Sequence, residues 1–309
     1  MIRDTLCIVR SVGEITESNC RVLLIDNGFN PEQILIINEK PFAKSIYVSF
    51  KKAIDLGSKY LLIIDADVLL RKDSIHELFH HVDDNVFVVQ GMILDFITYE
   101  IRSAGNHLYN VQHLPTALKL LDINTFMVRP ECNLILQMSQ LGFKYIVTPT
   151  VIGIHDYFQS SYDIYRKSYL HGIKHKSKLF DILEIAKKRE DTYKDAIIKG
   201  TVSGFFRDSN VKVDYRENYM MMGLFNECKK KSERVLPKNF KHIEECIAIY
   251  NKNINEVRKY QYIFNIKQKN IFHTLYYQIK ELLKIKPSVI IILVLYRINY
   301  RFQNYINKN

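Results

Sequence analysis

The sequence predicts an α/β protein: a mostly parallel sheet covered on both faces by helices, followed by a mainly helical region. Three observations carry this reading. Short apolar runs alternate with helical patterns through the first half of the chain. Those runs are apolar throughout rather than at every second residue, as strands buried on both faces require. From about Ser160 the strand-like runs fade and lysine becomes frequent.

The first strand is TLCIVRS, residues 5–11, a compact apolar run bounded by polar residues. Residues 19–26 follow as a short helix closed near Asn27-Gly28, and QILIIN (33–38) is the second strand. From Ala43 to Leu56 the residues Ile46, Phe50, Ala53 and Ile54 share one helical face, with Gly57 as the stop. YLLIID (60–65) is the third strand, and a helix is expected from Ser74, where Ser74 and Glu77 match a capping box. NVFVVQG (85–91) and FKYIVTPTVIGI (143–154) supply the remaining strands. Helices are expected at roughly 160–198, 239–264, 269–285 and 288–306, while 200–237 has no clear pattern. The change of pattern divides the chain into 1–158 and 159–309.

Charge divides it in the same way. Residues 1–158 hold 14 Lys+Arg against 18 Asp+Glu, a net of −4, and residues 159–309 hold 30 against 15, a net of +15. A basic second half suits an anionic membrane, an anionic glycan or nucleic acid. The apolar run VIIILVLY (289–296) is too short for the roughly 20 residues a bilayer span needs. With Lys284, Lys286, Arg297 and Arg301 beside it, the run fits an in-plane membrane helix or a buried helix. The five cysteines form no C-x-x-C pair, which argues against a disulfide framework and a structural zinc site and suits a reducing cytosol. MIRDTLCIVRS has no secretory pattern.

The chemistry-bearing feature is Asp65-Ala66-Asp67, two carboxylates at the end of the third strand. Such a sheet binds ligands at the C-terminal edge of its strands. In extended backbone, residues i and i+2 face the same way, so both carboxylates are expected to converge on one point. Hard oxygen ligands there suit Mg²⁺ or Mn²⁺ bridging to phosphates. The plainer reading has one Asp capping the next turn and the other solvated.

The order of apolar strand, D-x-D, short loop and capped helix resembles the GT-A class of nucleotide-sugar glycosyltransferases, in particular its family 2-like group. The resemblance covers roughly residues 4–158. It implies a Rossmann-like GT-A domain, with Asp65 near the donor ribose and the metal and Asp67 a direct metal ligand. LGFKYIVTPTVIGIHDYFQ (141–159) resembles the family stretch that leads through a strand to a histidine, which implies that His155 completes a Mn²⁺ or Mg²⁺ site with Asp65 and Asp67. The chain departs from the family at IVRSVGE (8–14), where Pro-x-Tyr-Asn is usual, and at Asn38 and Glu39, where an Asp meets the nucleobase. Arg10 and Lys44 suit diphosphate contacts by charge, with a plain surface role weighing at least equally for each. Glu131 falls at the position of the family's catalytic base, with Asp156 and Asp122 as alternatives; a retaining mechanism is open if none serves. A helix-dipole role for Glu131 weighs equally.

After His155, the segment FQSSYDIYRKSYLHGIKHKS (158–177) places Arg166, Lys167, His171 and Lys174 at helical spacing, fit for a donor diphosphate or an anionic acceptor. His171 and His175 stand four apart, but with no third ligand in sequence a solvated face is the better reading.

Together these features point to a metal-dependent glycosyltransferase. Its partners would be a nucleotide-sugar donor, a glycan or lipid-linked acceptor and an anionic membrane surface. By resemblance it works in bacterial surface polysaccharide synthesis, in the cytoplasm or peripheral to the inner membrane face. No RNA-binding aromatic motif, Walker A loop or G-x-S-x-G is present. Two alternatives stay open: a phosphohydrolase of the haloacid dehalogenase type, and a non-catalytic basic module binding membrane or nucleic acid.

Overall fold

The computed structural model describes residues 1–123, 129–175, 178–189, 191, 193–206, 243–245 and 247–248. The helices expected at 269–285 and 288–306, most of that at 239–264, and the 289–296 run lie outside the described residues.

The chain forms, in order, β1 (Thr5–Arg10), α1 (Glu17–Asp26), β2 (Ile34–Ile37), α2 (Phe42–Asp55), β3 (Tyr60–Asp65), β4 (Val68–Leu70) and α3 (Ser74–Phe79). It continues with β5 (Val86–Asp95), β6 (Glu100–Ser103), β7 (Asn106–Asn110), α4 (Leu114–Leu120), α5 (Pro130–Gln140) and β8 (Lys144–His155). Three helices follow: α6 (Ser161–Lys174), α7 (Leu179–Lys188) and α8 (Lys194–Phe205). The strands make one sheet of order β2-β1-β3-β7-β5-β8-β4, with β6 on β5.

The expected α/β architecture is present. β2, β1 and β3 are parallel, as are β5 and β8, while β7 lies antiparallel between the two groups and β4 and β6 are antiparallel additions. Both faces are covered. On β1 and β3, Cys7, Val9, Leu62 and Ile64 pack toward α1 and α3, through Leu23, Leu24, Ile75 and Leu78. Their neighbours Leu6, Ile8, Leu61 and Ile63 pack on the opposite side with Ile46 and Phe50 of α2 and Leu134 and Met138 of α5. Burial on both faces is why these strands read as unbroken apolar runs.

The capping box expected at Ser74 is not formed. Asp73 is the residue before the helix, in the left-handed region at φ 57°, and makes no side-chain cap. Ser74 is already helical; its hydroxyl donates to the Arg71 carbonyl, and Glu77 pairs with Arg71 rather than reaching back along the chain.

The helical pattern from Ser160 appears as α6, α7 and α8. Their core is Ile164, Tyr165, Tyr169, Ile182, Ala186 and Ile197, with Ile97 from the sheet side. α6 and α8 approach backbone to backbone: a Cβ on Gly200 or Gly204 would run into the Tyr165 or Tyr169 carbonyl. This close packing fixes the position of α6, whose basic residues face the sheet edge.

Candidate functional site

At the C-terminal edge of β1, β2 and β3 lies a cavity of about 290 Å³. Asp67, His155 and Asp156 line it, with Asp95 buried behind the histidine, and the strand register explains how they meet. β4 pairs with β8 so that Val68 faces His155; the flanking Asp67 and Asp156 therefore stand side by side, and the Asp156 N–H donates to the Asp67 carbonyl at 3.3 Å. Asp156 takes φ 60°, a left-handed conformation that Asp tolerates better than most residues. β5 pairs with β8 so that Asp95 faces His155.

Asp67, His155 and Asp156 place one ligand atom each within 4.8 Å of one another, all three residues buried. His155 Nε2 lies 3.3 Å from Asp67 Oδ1, and its Nδ1 lies 3.1 Å from Asp95 Oδ2 and from Asp156 Oδ2. Lys167 of α6 bonds both Asp67 Oδ2 and Asp156 Oδ1. Among the described residues Asp67 Oδ1 is buried with no well-aligned hydrogen-bond donor, its ion-pair contact being His155 Nε2 at 3.3 Å. A buried carboxylate oxygen without a donor, beside an imidazole and a second carboxylate, fits a hard divalent cation.

The charges are strongly coupled. Burial works against the ionised form of Asp67, but Lys167 and His155 outweigh it and hold its pKa well below the ordinary value. Burial likewise opposes a charged His155, and Asp156 and Asp67 overcome that, raising it to about 10. Asp156 goes the other way: burial raises its pKa despite His155 and Lys167. Asp95 is wholly buried, accepts from the Ile97 and Thr98 amides, the Thr98 hydroxyl and Arg102, and orients the His155 ring.

Asp65 does not join this group. β3 ends at Asp65 and the chain turns at Ala66, so the i, i+2 convergence of an extended strand does not apply. Asp65 instead stands opposite Arg10 in the β1–β3 register, and Arg10 donates to Asp65 Oδ1 at 2.8 Å. The Asp65 amide donates to the Gly105 carbonyl at 2.9 Å. Gly105 has φ +64°, and a Cβ there would sit 2.6 Å from Val68 Cγ2 and 3.3 Å from Asp65 Oδ2. Gly105→Ala should therefore cost about 1–3 kcal/mol in urea unfolding and displace the Asp65 carboxylate.

Glu131 is buried and does not line the cavity. It lies behind Arg10: Arg10 Nη1 reaches both its oxygens at 3.3 Å, the Tyr109 hydroxyl donates at 2.8 Å, and His107 Nδ1 lies 3.3 Å away. Phe42 stacks against the Arg10 guanidinium at 4.4 Å. Burial alone would raise the Glu131 pKa, but Arg10, His107 and Tyr109 bring it below the usual carboxylate value.

Among the other residues singled out in the sequence, Arg10, Glu39, Asp65, Arg166 and Lys174 line the cavity. Lys44 does not; it pairs with Glu39 at 2.8 Å and is half exposed. Asp122 is exposed in the turn after α4. Arg102, Asp95 and Gln159 were not anticipated: nothing in EIRS or VVQGMILDF marks a site, and only the β5–β8 register brings Asp95 to His155.

Lys174 shows the excess positive charge at one end of the cavity. Burial lowers its pKa, and the like charges of Arg129, Arg102 and Arg166 lower it further, to about 8. The unfolded chain then binds more protons than the folded one between pH 8 and the ordinary 10.5, so this residue makes stability rise with pH across that window. Lys174→Met should raise the melting temperature at pH 7, with the gain vanishing as pH approaches 10.5.

No family model matches this chain, and no curated protein matches it. Solved structures similar to it include a glycosyltransferase involved in the glycosylation of the major capsid of PBCV-1, with 13% identity, 47% of this chain and 81% of that chain covered, and a TM-score of 0.35. A197 from STIV is similar at 10% identity, with 48% of this chain and 83% of that chain covered and a TM-score of 0.36. Similarity this distant carries no argument about the chain's chemistry.

Proposed function

We propose that the chain is a glycosyltransferase that takes a sugar from a nucleoside-diphosphate donor and passes it to a hydroxyl acceptor. The single observation that carries this reading is the buried Asp67–His155–Asp156 group at the sheet's ligand edge, inside a cavity that also holds Asp65 and Arg10. Asp67 Oδ1, His155 Nε2 and Asp156 would hold Mn²⁺ or Mg²⁺. When bound, the cation supplies positive charge to the departing diphosphate.

The rest of the site follows from the residues around this group. The lining residues from the ends of β1 and β2 and the start of α2, Ser11, Val12, Ile37, Glu39, Phe42 and Ser45, give the mixed polar and apolar surface that a nucleoside needs. Asp65, with its carboxylate 30% exposed and turned by Arg10 toward the cavity, is placed for the donor ribose. Glu131 acts through Arg10 as a positioning residue. Asp95 holds the His155 ring so that Nε2 faces Asp67. The acceptor is a glycan or lipid-linked glycan, and the basic second half of the chain suits an anionic membrane surface. Among the described residues no helix is long and apolar enough to cross a membrane.

Lys167 shares its two carboxylate partners with the proposed cation. Lys167→Met should therefore tighten Mn²⁺ binding in the absence of nucleotide, measured by isothermal titration, and make the fold more dependent on the metal. Weaker Mn²⁺ binding in that variant would mean that lysine and metal do not compete.

The function is tested by incubating the full chain with a panel of nucleotide sugars and following release of nucleoside diphosphate. Metal-dependent release from one sugar nucleotide is expected. Release of phosphate from phosphomonoesters, with none from any sugar nucleotide, would replace the transferase with a phosphohydrolase.

A further inference from the structure

One part of the cavity lining, a second lobe supplied by α6 and β6, consists of Arg102, Arg166, Leu170, His171 and Lys174. Among the described residues its polar groups are left incomplete. His171 Nδ1 and Arg166 Nε are buried without a hydrogen-bond partner, the two residues being 9% and 8% exposed. Arg166 Nε forms an ion pair with Asp163 Oδ1 at 3.7 Å, beyond hydrogen-bond reach. Among the described residues Lys174 has no hydrogen-bond or ion-pair partner. Arg129, outside the lining, bonds His175 at 2.9 Å and adds positive charge near Lys174. Buried cationic donors with no acceptor are costly unless a ligand supplies one.

The spacing along α6 separates this lobe from the metal group. Lys167, which reaches Asp67 and Asp156, and Lys174 lie on the same helical face seven residues apart, a rise of about 10.5 Å. A diphosphate bridged to the carboxylate group would meet Lys167 and leave the Lys174 end free.

We propose that the Arg166–His171–Lys174 lobe is a second anionic subsite that binds the phosphate of a phosphorylated acceptor, separate from the donor diphosphate. The inference rests on the donor-site reading for what fills the other end of the cavity. Its ligand is a phosphate ester or diphosphate that delivers an acceptor hydroxyl toward the centre. Arg166 and Lys174 supply charged donors, and the His171 imidazole adds a neutral one: burial holds its pKa well below the ordinary value even with Asp95 nearby.

The experiment is isothermal titration of inorganic phosphate into the full chain, with and without saturating Mn²⁺ and nucleoside diphosphate. Wild type is compared with Lys174→Met and His171→Gln, each first checked by thermal unfolding. Phosphate should bind with the nucleotide already in place. Lys174→Met should weaken it about tenfold, the loss of one charge-assisted hydrogen bond, with nucleoside diphosphate affinity unchanged. His171→Gln should also weaken it and serves if the lysine variant does not fold. Phosphate that competes with the nucleotide would assign this lobe to the donor and overturn the subsite, as would unchanged phosphate affinity in both folded variants. Failure of every nucleoside diphosphate to bind, with phosphate binding still dependent on Lys174, would remove the donor reading and support the subsite.

Discussion

Asp67→Asn should abolish metal-dependent nucleotide binding while leaving the chain folded. The substitution keeps the shape of the side chain and removes its charge. The amide cannot serve as the anionic ligand that the orphaned Asp67 Oδ1 offers. Loss of a residue that merely orients a ligand costs about 10–100-fold in metal affinity, so loss of a ligand should cost at least about 100-fold. The fold should tolerate the change because Lys167 keeps Asp156 as its partner. His155→Ala should give the same loss of Mn²⁺ binding by isothermal titration. Glu39→Gln, on the nucleoside side, should spare the metal and weaken only the nucleotide. If Asp67→Asn binds Mn²⁺ with wild-type affinity, the metal assignment fails.

The largest effect on stability is expected at Arg10. Arg10→Met leaves Glu131 buried with only Tyr109 and His107 beside it, and leaves Asp65 without its partner. Breaking a buried ion pair from one side costs about 3–5 kcal/mol, which urea unfolding would read directly. The pH dependence has a definite sign. The folded pKa of Glu131 lies below the ordinary 4.5, so its ionised form contributes stability that is fully present above 4.5 and lost as pH falls through the folded pKa. The difference between wild type and Glu131→Gln should therefore be greatest at neutral pH and shrink in acid. A difference that grows as pH falls would show that Glu131 is held protonated. Glu131→Gln should also change nucleotide affinity, since Arg10 sets the Asp65 carboxylate; unchanged affinity would confine Glu131 to the fold.

Much of this site was legible in the sequence, for identifiable reasons. β1, β2, β3 and α2 are readable because burial on two faces leaves unbroken apolar runs and one clean helical stripe. Those elements alone put Asp65 and Asp67 at the sheet edge. The strand's end at Asp65 was legible, but not the immediate turn at Ala66 that parts the two carboxylates and brings Asp156 rather than Asp65 beside Asp67 and His155. It also hid β7. NHLYN has no apolar run, yet all five residues are buried, because Asn106 satisfies both the amide and the carbonyl of Gly91 and His107 lies against Glu131. Polar residues that complete one another inside a protein leave no periodic trace. Lys167 shows the same difficulty from the other side. Its helical spacing marked a basic face, but its bonds to Asp67 and Asp156 depend on where α8 presses α6 against the sheet.

The central claim is that a nucleoside diphosphate and a divalent cation bind together at Asp67, His155 and Asp156. Thermal unfolding of the full chain against a panel of nucleoside diphosphates, with and without Mn²⁺, tests it most directly. A ligand at 100 times its dissociation constant stabilises the native state by about 2.7 kcal/mol, enough to move the melting temperature measurably. The account predicts a rise that needs both Mn²⁺ and one nucleoside diphosphate and disappears in Asp67→Asn. A rise with nucleotide alone that survives Asp67→Asn, or no rise with any nucleotide, would contradict it.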